Sequence, residues 1–264
     1  MARSQAARSD TSNVGLSPNG YPGSKSASGV AERIIREMPP HKIFVEGFAG
    51  RAAIWRKKRP AATTLLIDAD AKACHWLRSY IAGRDVGQVE VLHGDAMQIL
   101  PSHSAVRAPD TLAYLDPPYL GTVRTKKALY DFEFTSHQVH SSFLTIAAAL
   151  PCMVMISGYM SPLYARRLKR WRLVEIPAMT HGGLRTECLW CNFPPPDVLH
   201  DPRFVGGDYR ERDRIKRKQR RWMIKFAKMD TRERQAIAAA LIGVDRPSVE
   251  AALWASQKGK LHVS

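Results

Sequence analysis

Short apolar runs alternate with amphipathic stretches along the first two thirds of the chain. The runs predict strands at residues 43–46, 64–68, 89–92, 111–115, 152–157, 171–176 and 187–193. Helical spacing of apolar positions predicts helices at 27–37, 52–58, 71–81, 136–150 and 162–169. Strands that alternate with helices indicate a doubly wound α/β fold with a mostly parallel sheet, that is, a Rossmann-like architecture.

The last two predicted strands have no helix between them. Their connection, residues 177–185, contains Gly182-Gly183. Such a connection is typical of a hairpin, because a parallel crossover needs many more residues. We therefore predict a terminal antiparallel hairpin at the edge of the sheet.

A different composition begins after Pro194-Pro195-Pro196. Residues 208–228 predict a helix rich in arginine and lysine, with Ile215, Trp222 and Phe226 expected to pack partly. Two shorter helices are predicted at 230–241 and 245–256, with Asp230 and Glu233 as a capping box and Gly243 as a stop. The predicted organisation is a disordered tail at 1–20, a catalytic domain at 21–196 and a basic helical extension at 197–264.

Charge and composition limit the possible partners. The chain of 264 residues carries 40 Lys and Arg against 24 Asp and Glu, a formal charge of +16. This excess favours a polyanion such as nucleic acid, although a merely solvated basic protein has the same balance. No apolar run reaches the roughly 18 residues of a membrane span, and residues 1–20 lack a signal sequence. The 4 cysteines do not indicate a disulfide scaffold, so we expect a cytoplasmic protein that does not bind membranes.

The run Asp116-Pro117-Pro118-Tyr119 ends the fourth predicted strand and carries the strongest chemical signal. An exocyclic amine of a base is a poor nucleophile, because its lone pair is delocalised into the ring. The Asp116 carboxylate and the Pro117 carbonyl can accept its two N–H bonds and favour an sp³-like nitrogen. Proline fixes φ, so the pair stiffens the loop, and Tyr119 offers a ring face to a flipped base. The alternative interpretation is a proline turn that closes the strand, with Asp116 merely capping the next segment.

Further candidate residues follow the first three strands, where an open α/β sheet binds its ligand. Glu46, Phe48 and Gly50 come at the end of the first strand. Asp68 closes the second strand, placed for ribose hydroxyls, and Asp95 follows the third, placed for an adenine amine. The pyrophosphate-binding glycine loop is missing. Since S-adenosylmethionine has no phosphate, the pattern favours this cofactor over NAD, and with it the transfer of a sulfonium methyl group.

These motifs together resemble the adenine-specific DNA methyltransferases, the family that includes the bacterial GATC methylase. The similar segments are YPGSK at 21–25, FAGRA at 48–52, DPPY at 116–119, ISGY at 156–159 and ECLWCNF at 187–193. The resemblance implies that Tyr21, Gly23 and Lys25 line a pocket for S-adenosylmethionine. It also implies site-specific transfer of the methyl group to N6 of a flipped adenine in DNA.

Two departures from the family pattern bear on function. Ala52 stands where a second glycine is usual, which puts cofactor affinity in question. Only residues 70–114 lie between the end of the second strand and the end of the catalytic strand, and most of them are strand and helix, so a recognition insert common in the family has no room there. The candidate contacts with nucleic acid are instead cations of the 121–134 loop and of the basic helix: Arg124, Lys126, Lys127, Arg217, Lys218, Arg220 and Arg221. An ordinary loop and a solvated helix are the alternatives.

Other functions remain as alternatives. The residues alone also fit an RNA adenine-N6 or a DNA cytosine-N4 methyltransferase, or a non-catalytic nucleic-acid-binding protein that keeps the fold. Cys188 and Cys191 have a spacing that suits zinc, but positions i and i+3 of a strand point to opposite faces, so no metal site is predicted. The sequence is compatible with a monomer. It leaves open whether the protein is the partner of a restriction enzyme, a phage enzyme or an orphan methyltransferase.

Overall fold

The computed structural model describes residues 29–119, 136–180 and 183–257. Within these ranges the strands are β1 (Ile43–Gly47), β2 (Thr63–Asp68), β3 (Gln88–His93), β4 (Thr111–Leu115), β5 (Met153–Gly158), β6 (Arg172–Thr180) and β7 (Gly183–Cys191). The helices are α1 (Val30–Arg36), α2 (Ala53–Lys57), α3 (Ala71–Ile81), α4 (Ala96–Ile99), α5 (His137–Ala149), α6 (Pro162–Arg167), α7 (Tyr209–Lys228), α8 (Thr231–Val244) and α9 (Arg246–Gln257). Single 3-10 turns lie at Ser104–Arg107 and Pro202–Phe204.

One sheet organises the chain, with the strand order β3-β2-β1-β4-β5-β7-β6. The first five strands are parallel, and β7 runs antiparallel to both β5 and β6. The order reverses between β1 and β4, which is the switch point where open α/β sheets bind ligands. This topology confirms the predicted Rossmann-like α/β fold with a terminal antiparallel hairpin.

The hairpin is longer than predicted. Pairing continues through Pro177↔Thr186 and Ala178↔Arg185, residues that the sequence assigns to the connection. Proline lacks an N–H and normally ends a strand, but β6 is an edge strand and tolerates Pro177 there. The outer edge of the sheet is therefore a long two-stranded ribbon.

Side chains alternate between two apolar cores, one on each face of the sheet. Phe44 of β1 packs with α1, α2 and α3, whereas its neighbour Val45 packs with α5 and α6. Cys191 belongs to the first core and Cys188 to the second. The prediction that these two thiols lie on opposite faces of their strand is confirmed.

The basic extension leaves the sheet as exposed helices. No residue of α7 is buried, and Trp222 is 54% exposed, so its predicted packing is wrong, while Ile215 and Phe226 are half-buried. Asp230 accepts the N–H groups of Arg232 and Glu233, as the predicted capping requires. No helix in the described part of the chain is long and apolar enough to cross a membrane.

The predicted stop at Gly243 is wrong, because α8 runs on to Val244. The break follows at Asp245, whose carboxylate accepts the N–H of Ser248 and begins α9. Pro247 has no N–H to continue α8 but fits the first turn of a new helix. The proline and the cap therefore set this boundary, and the glycine does not.

A buried carboxylate fastens the segment after the sheet to α2. Asp201, which is 0% exposed, accepts the backbone N–H of Arg59 at 2.9 Å and two guanidinium bonds from Arg203 at 2.6 and 2.8 Å. Arg203 also donates to the Lys57 carbonyl at 3.0 Å. Burial alone would raise the pKa of Asp201, but Arg203 outweighs it and the pKa lies below its usual value. The start of the extension is thus held against the end of α2.

The turn from β1 into α2 has an unusual backbone. Phe48, Gly50 and Ala52 all have positive φ, at 60°, 52° and 47°. Glycine adopts this left-handed region freely, but an L-residue with a Cβ does so at a cost of roughly 1–2 kcal/mol. Ala52 is fully buried, and its N–H reaches the Ala49 carbonyl at 2.6 Å. Packing therefore holds Ala52 in a conformation that a glycine would adopt without strain.

Asp201→Ala should lower the free energy of unfolding by about 2 kcal/mol, because it removes the buried acceptor that the Arg59 N–H and the half-exposed Arg203 guanidinium share. Urea denaturation followed by circular dichroism measures this. Asp197→Ala, which removes an exposed carboxylate four residues earlier, is the matched control and should change little. Equal effects of the two substitutions would contradict the role given to Asp201.

Ala52→Val should destabilise the protein by about 2 kcal/mol, since a β-branched residue fits neither a φ of 47° nor a fully buried site. Ala53→Val, at the first residue of α2, is the control and should cost less. Ala52→Gly should stay within about 1 kcal/mol of the parent, because relief of strain offsets the lost methyl group. Thermal unfolding of the three variants measures whether Ala52→Val loses the most stability, as expected.

Candidate active site

Three strand ends meet at the switch point of the sheet. The register pairs Gly47 of β1 with Ile67 of β2 and with Leu115 of β4. The residues that follow, Asp68 and Asp116, therefore flank the turn that begins at Phe48. The backbone N–H of Asp116 points to the Gly47 carbonyl at 3.5 Å. The predicted residues Glu46, Gly50, Asp68 and Asp116 are thus brought to one edge of the sheet.

The turn after β1 is tied to β2 by the carboxylate of Asp68. One of its oxygens accepts the N–H of Gly50 at 2.6 Å, and the other accepts the N–H of Asp70 at 2.8 Å. Burial raises the pKa of Asp68, and these two donors offset the effect only in part, so the pKa lies above its usual value. A carboxylate oxygen has more than one lone pair, so each can accept a further hydroxyl donor.

Asp95 lies one strand further out and caps a helix. Its side chain accepts the N–H of Met97, in the first turn of α4, at 2.9 Å. The neighbouring Gly94 donates its N–H to the Asp68 carbonyl at 2.9 Å, which ties the end of β3 to the end of β2. Asp95 therefore lies at the predicted edge, and part of its hydrogen-bonding capacity supports α4.

Glu46 is a buried acid of β1, next to Tyr114 of β4. It is 4% exposed, and one oxygen accepts the N–H of Trp55, in α2, at 3.0 Å. Burial raises the pKa of Glu46 to about 8; the Trp55 N–H opposes this shift and the Asp116 charge adds to it. Glu46 is thus largely neutral at pH 7. A cationic ligand placed beside it would favour the charged form.

The Asp-Pro-Pro-Tyr run follows β4 directly and is itself partly exposed to solvent. Asp116, Pro118 and Tyr119 are half-buried and Pro117 is buried. The Tyr119 hydroxyl donates to the carboxylate of Glu187, with both oxygens at 3.3 Å. The Tyr119 ring lies 4.4 Å from that of Tyr159, tilted by 40°, and the Arg185 guanidinium stands 5.5 Å over the Tyr159 ring. An aromatic surface therefore adjoins the predicted catalytic carboxylate.

Sequence reasoning assigned no role in the site to Tyr159, Arg185 or Glu187. Tyr159 comes directly after β5, and the other two lie on β7. The position of Tyr159 after a central strand is a signal that could have found it. Glu187 begins a segment that resembles the methyltransferase family, but its contact with Tyr119 could not be predicted, because the two residues are 68 positions apart in sequence.

Two buried polar pairs lie near the end of β4. The Tyr114 hydroxyl bonds to the Ser157 hydroxyl at 2.8 Å, joining β4 to β5. The Tyr164 hydroxyl bonds to Nδ1 of His140 at 2.9 Å, joining α6 to α5. Burial, together with the charge of Asp116, raises the pKa of Tyr164. These pairs fix the elements around Asp116 by directional bonds as well as by packing.

Several predicted residues cannot be placed at the site. Tyr21, Gly23, Lys25, Arg124, Lys126 and Lys127 lie outside the described residues. Arg217, Lys218, Arg220 and Arg221 lie on α7, and Arg217 pairs there with Asp213 at 2.6 Å. In the described part of the chain, no group of three or more His, Cys, Asp or Glu side chains is arranged to hold a metal ion.

Comparison with known proteins gives structural likeness at low identity. No protein-family profile and no curated sequence matches the chain. An rRNA methylase from Streptococcus thermophilus is 10% identical over 61% of this chain and 93% of its own, with a TM-score of 0.43. TrmN from Thermus thermophilus is 18% identical over 61% of this chain and 46% of its own, with a TM-score of 0.44. The 23S rRNA methyltransferase ErmE is 12% identical over 70% of this chain and 81% of its own, with a TM-score of 0.41. The function of this chain must therefore be argued from its own residues.

Proposed function

We propose that the protein transfers a methyl group from S-adenosylmethionine to N6 of an adenine in DNA. The observation that carries the proposal is the position of Asp116. Its backbone bonds to Gly47 at the switch point, next to the turn that Asp68 holds closed. The Asp116 carboxylate, which can accept the N–H bonds of an amino group, thus lies next to a turn that can bind the nucleoside part of the cofactor.

The residues on the cofactor side fit S-adenosylmethionine. Asp68, at the end of β2, has lone pairs that can accept the ribose hydroxyls. In the turn at residues 48–52, the Gly50 N–H donates to Asp68 and is not available to a phosphate. Ala52 keeps the left-handed turn, so the departure from the second glycine leaves the path of the loop intact. The cofactor supplies an electrophilic methyl group on a sulfonium cation. Glu46, buried and close to Asp116, is placed to balance a positive charge in this region.

On the base side, Asp116 and the Pro117 carbonyl accept the two N–H bonds of the amino group and concentrate its lone pair on nitrogen. After transfer, the nitrogen loses a proton, and the Asp116 carboxylate is the nearest acceptor in the proposed arrangement. Tyr119, half-buried and held by Glu187, offers its ring to the flipped base. These residues bind, orient and deprotonate, and the order of events requires no metal.

The basic helix α7 supports a nucleic-acid partner. It carries ten Lys and Arg against two acids, and none of its residues is buried. Arg217, Lys218, Arg220 and Arg221 lie within two turns of it, so their charges can act jointly on a phosphate backbone. The proposal of DNA over RNA comes from the motif resemblance, and both polymers belong in the test.

Asp116→Ala should reduce methyl transfer by about 100-fold or more, because the amine loses its charged acceptor. The measurement is transfer of a labelled methyl group to random-sequence pools of DNA and of RNA, followed by analysis of the modified nucleosides. Asp110→Ala, an exposed acid at the other end of β4, is the control and should keep full activity. Calorimetry should show that Asp116→Ala still binds the cofactor.

Retention of full activity by Asp116→Ala would contradict the catalytic assignment. Label found in cytosine or only in RNA would overturn the choice of adenine in DNA and leave the proposed methyl transfer standing. Salt-sensitive DNA binding without any cofactor binding would instead identify a non-catalytic binding protein.

The affinity for S-adenosylmethionine should rise with pH and level off only above about pH 8. Glu46 is protonated below its pKa of about 8. If binding a sulfonium cation favours the carboxylate, a proton is released on binding, and affinity gains about tenfold between about pH 6 and pH 8. Calorimetry across this range measures the gain. Glu46→Gln should flatten the dependence, and S-adenosylhomocysteine, whose sulfur is neutral, should show less of it. An unchanged slope in Glu46→Gln would refute this role.

A further inference from the structure

Tyr119 is held from several directions although it lies on the half-buried end of a loop. Its main chain follows two prolines, which restrict the backbone before it. Its hydroxyl is bonded to the Glu187 carboxylate at 3.3 Å to either oxygen, and its ring packs on Tyr159 at 4.4 Å. The orientation of this ring is therefore set by tertiary contacts as well as by the loop.

The carboxylate of Glu187 is in an unusual place for a charged group. It is 4% exposed and lies in β7, opposite Ile176 of β6. A buried carboxylate is costly unless donors satisfy it. The phenol of Tyr119 is one such donor, and it comes from the loop that carries the predicted catalytic residues. Apolar side chains would fill this position of β7 at less cost if packing were all that mattered.

The ribbon of β6 and β7 adds a second support. Arg185, two residues before Glu187 and on the same face of β7, stands 5.5 Å over the ring of Tyr159. Tyr159 in turn packs on Tyr119. One strand thus orders Tyr119 twice, directly through Glu187 and indirectly through Arg185 and Tyr159.

We propose that Glu187 is a positioning residue that fixes the Tyr119 ring for stacking on the target base. It does not touch the reacting atoms and acts through the phenol. A ring ordered before the base arrives loses less conformational entropy on stacking, so the flipped state is more populated. This inference rests on the proposed function, because it assumes that a base is what Tyr119 receives.

Three substitutions separate positioning from a merely structural role. Glu187→Leu removes the acceptor, Glu187→Gln keeps an acceptor of nearly the same shape, and Tyr119→Phe removes the hydroxyl but keeps the ring. Glu175→Leu is the matched control, since Glu175 is an exposed acid on the neighbouring strand of the same hairpin. The melting temperature and the cofactor affinity are measured for every variant.

Under single turnover, Glu187→Leu and Tyr119→Phe should each slow methyl transfer about tenfold, and the double variant should be no slower than either. Glu187→Gln should lose about threefold or less, and Glu175→Leu should match the parent. The fluorescence of 2-aminopurine at the target position, which reports base stacking, should change in Glu187→Leu and in Tyr119→Phe alike. Additive losses, or Glu187→Leu as fast as Glu175→Leu, would overturn the proposal.

A readout without nucleic acid keeps this inference separate from the proposed function. In a protein with 3-fluorotyrosine at position 119, the fluorine resonance should shift or broaden in Glu187→Leu and stay in place in Glu175→Leu. A response in a protein that transfers no methyl group would refute the proposed function and leave the anchoring of Tyr119 intact. An unresponsive resonance in an active enzyme would refute the anchoring alone.

Discussion

The site depends on one carboxylate, that of Asp68, and on the two backbone N–H groups it accepts. The bonds to Gly50 and Asp70 join the turn after β1 to the end of β2. With the turn closed in this way, Ala52 enters the left-handed region and α2 starts in a direction that brings the Trp55 N–H to Glu46. This local constraint therefore ties the turn, β2 and α2 together at the edge of the sheet where the candidate residues lie.

Most of the fold could be predicted because the alternation of apolar positions reports burial directly. The order of elements and the bounds of α3 follow from periodicity and from capping residues such as Asp70. The errors have local physical causes. Pro177 suggests the end of a strand but is tolerated at a sheet edge, and Gly243 suggests the end of a helix that Pro247 and Asp245 break two residues later.

The predicted strand-end residues of the site were accessible to sequence reasoning because parallel strands end at a common edge. The side chains that contact these strand-end residues could not be predicted in this way. Glu187 meets Tyr119, and Ser157 meets Tyr114, only through the packing of distant strands. The raised pKa of Glu46 likewise comes from burial, which cannot be read from the identity of any single residue. A motif thus identifies candidate side chains, whereas the fold decides their burial and orientation.

The Asp201 attachment has a consequence for how the molecule meets a polyanion. It fastens the start of the basic extension to the end of α2, on the side of the sheet where α1, α2 and α3 pack. The residues just before α7 lie on this side as well, because Arg36 of α1 donates to the Gly206 carbonyl at 2.8 Å. If the protein binds a polyanion as proposed, the first charges of α7 would therefore attract it toward the side of the sheet where α1 packs.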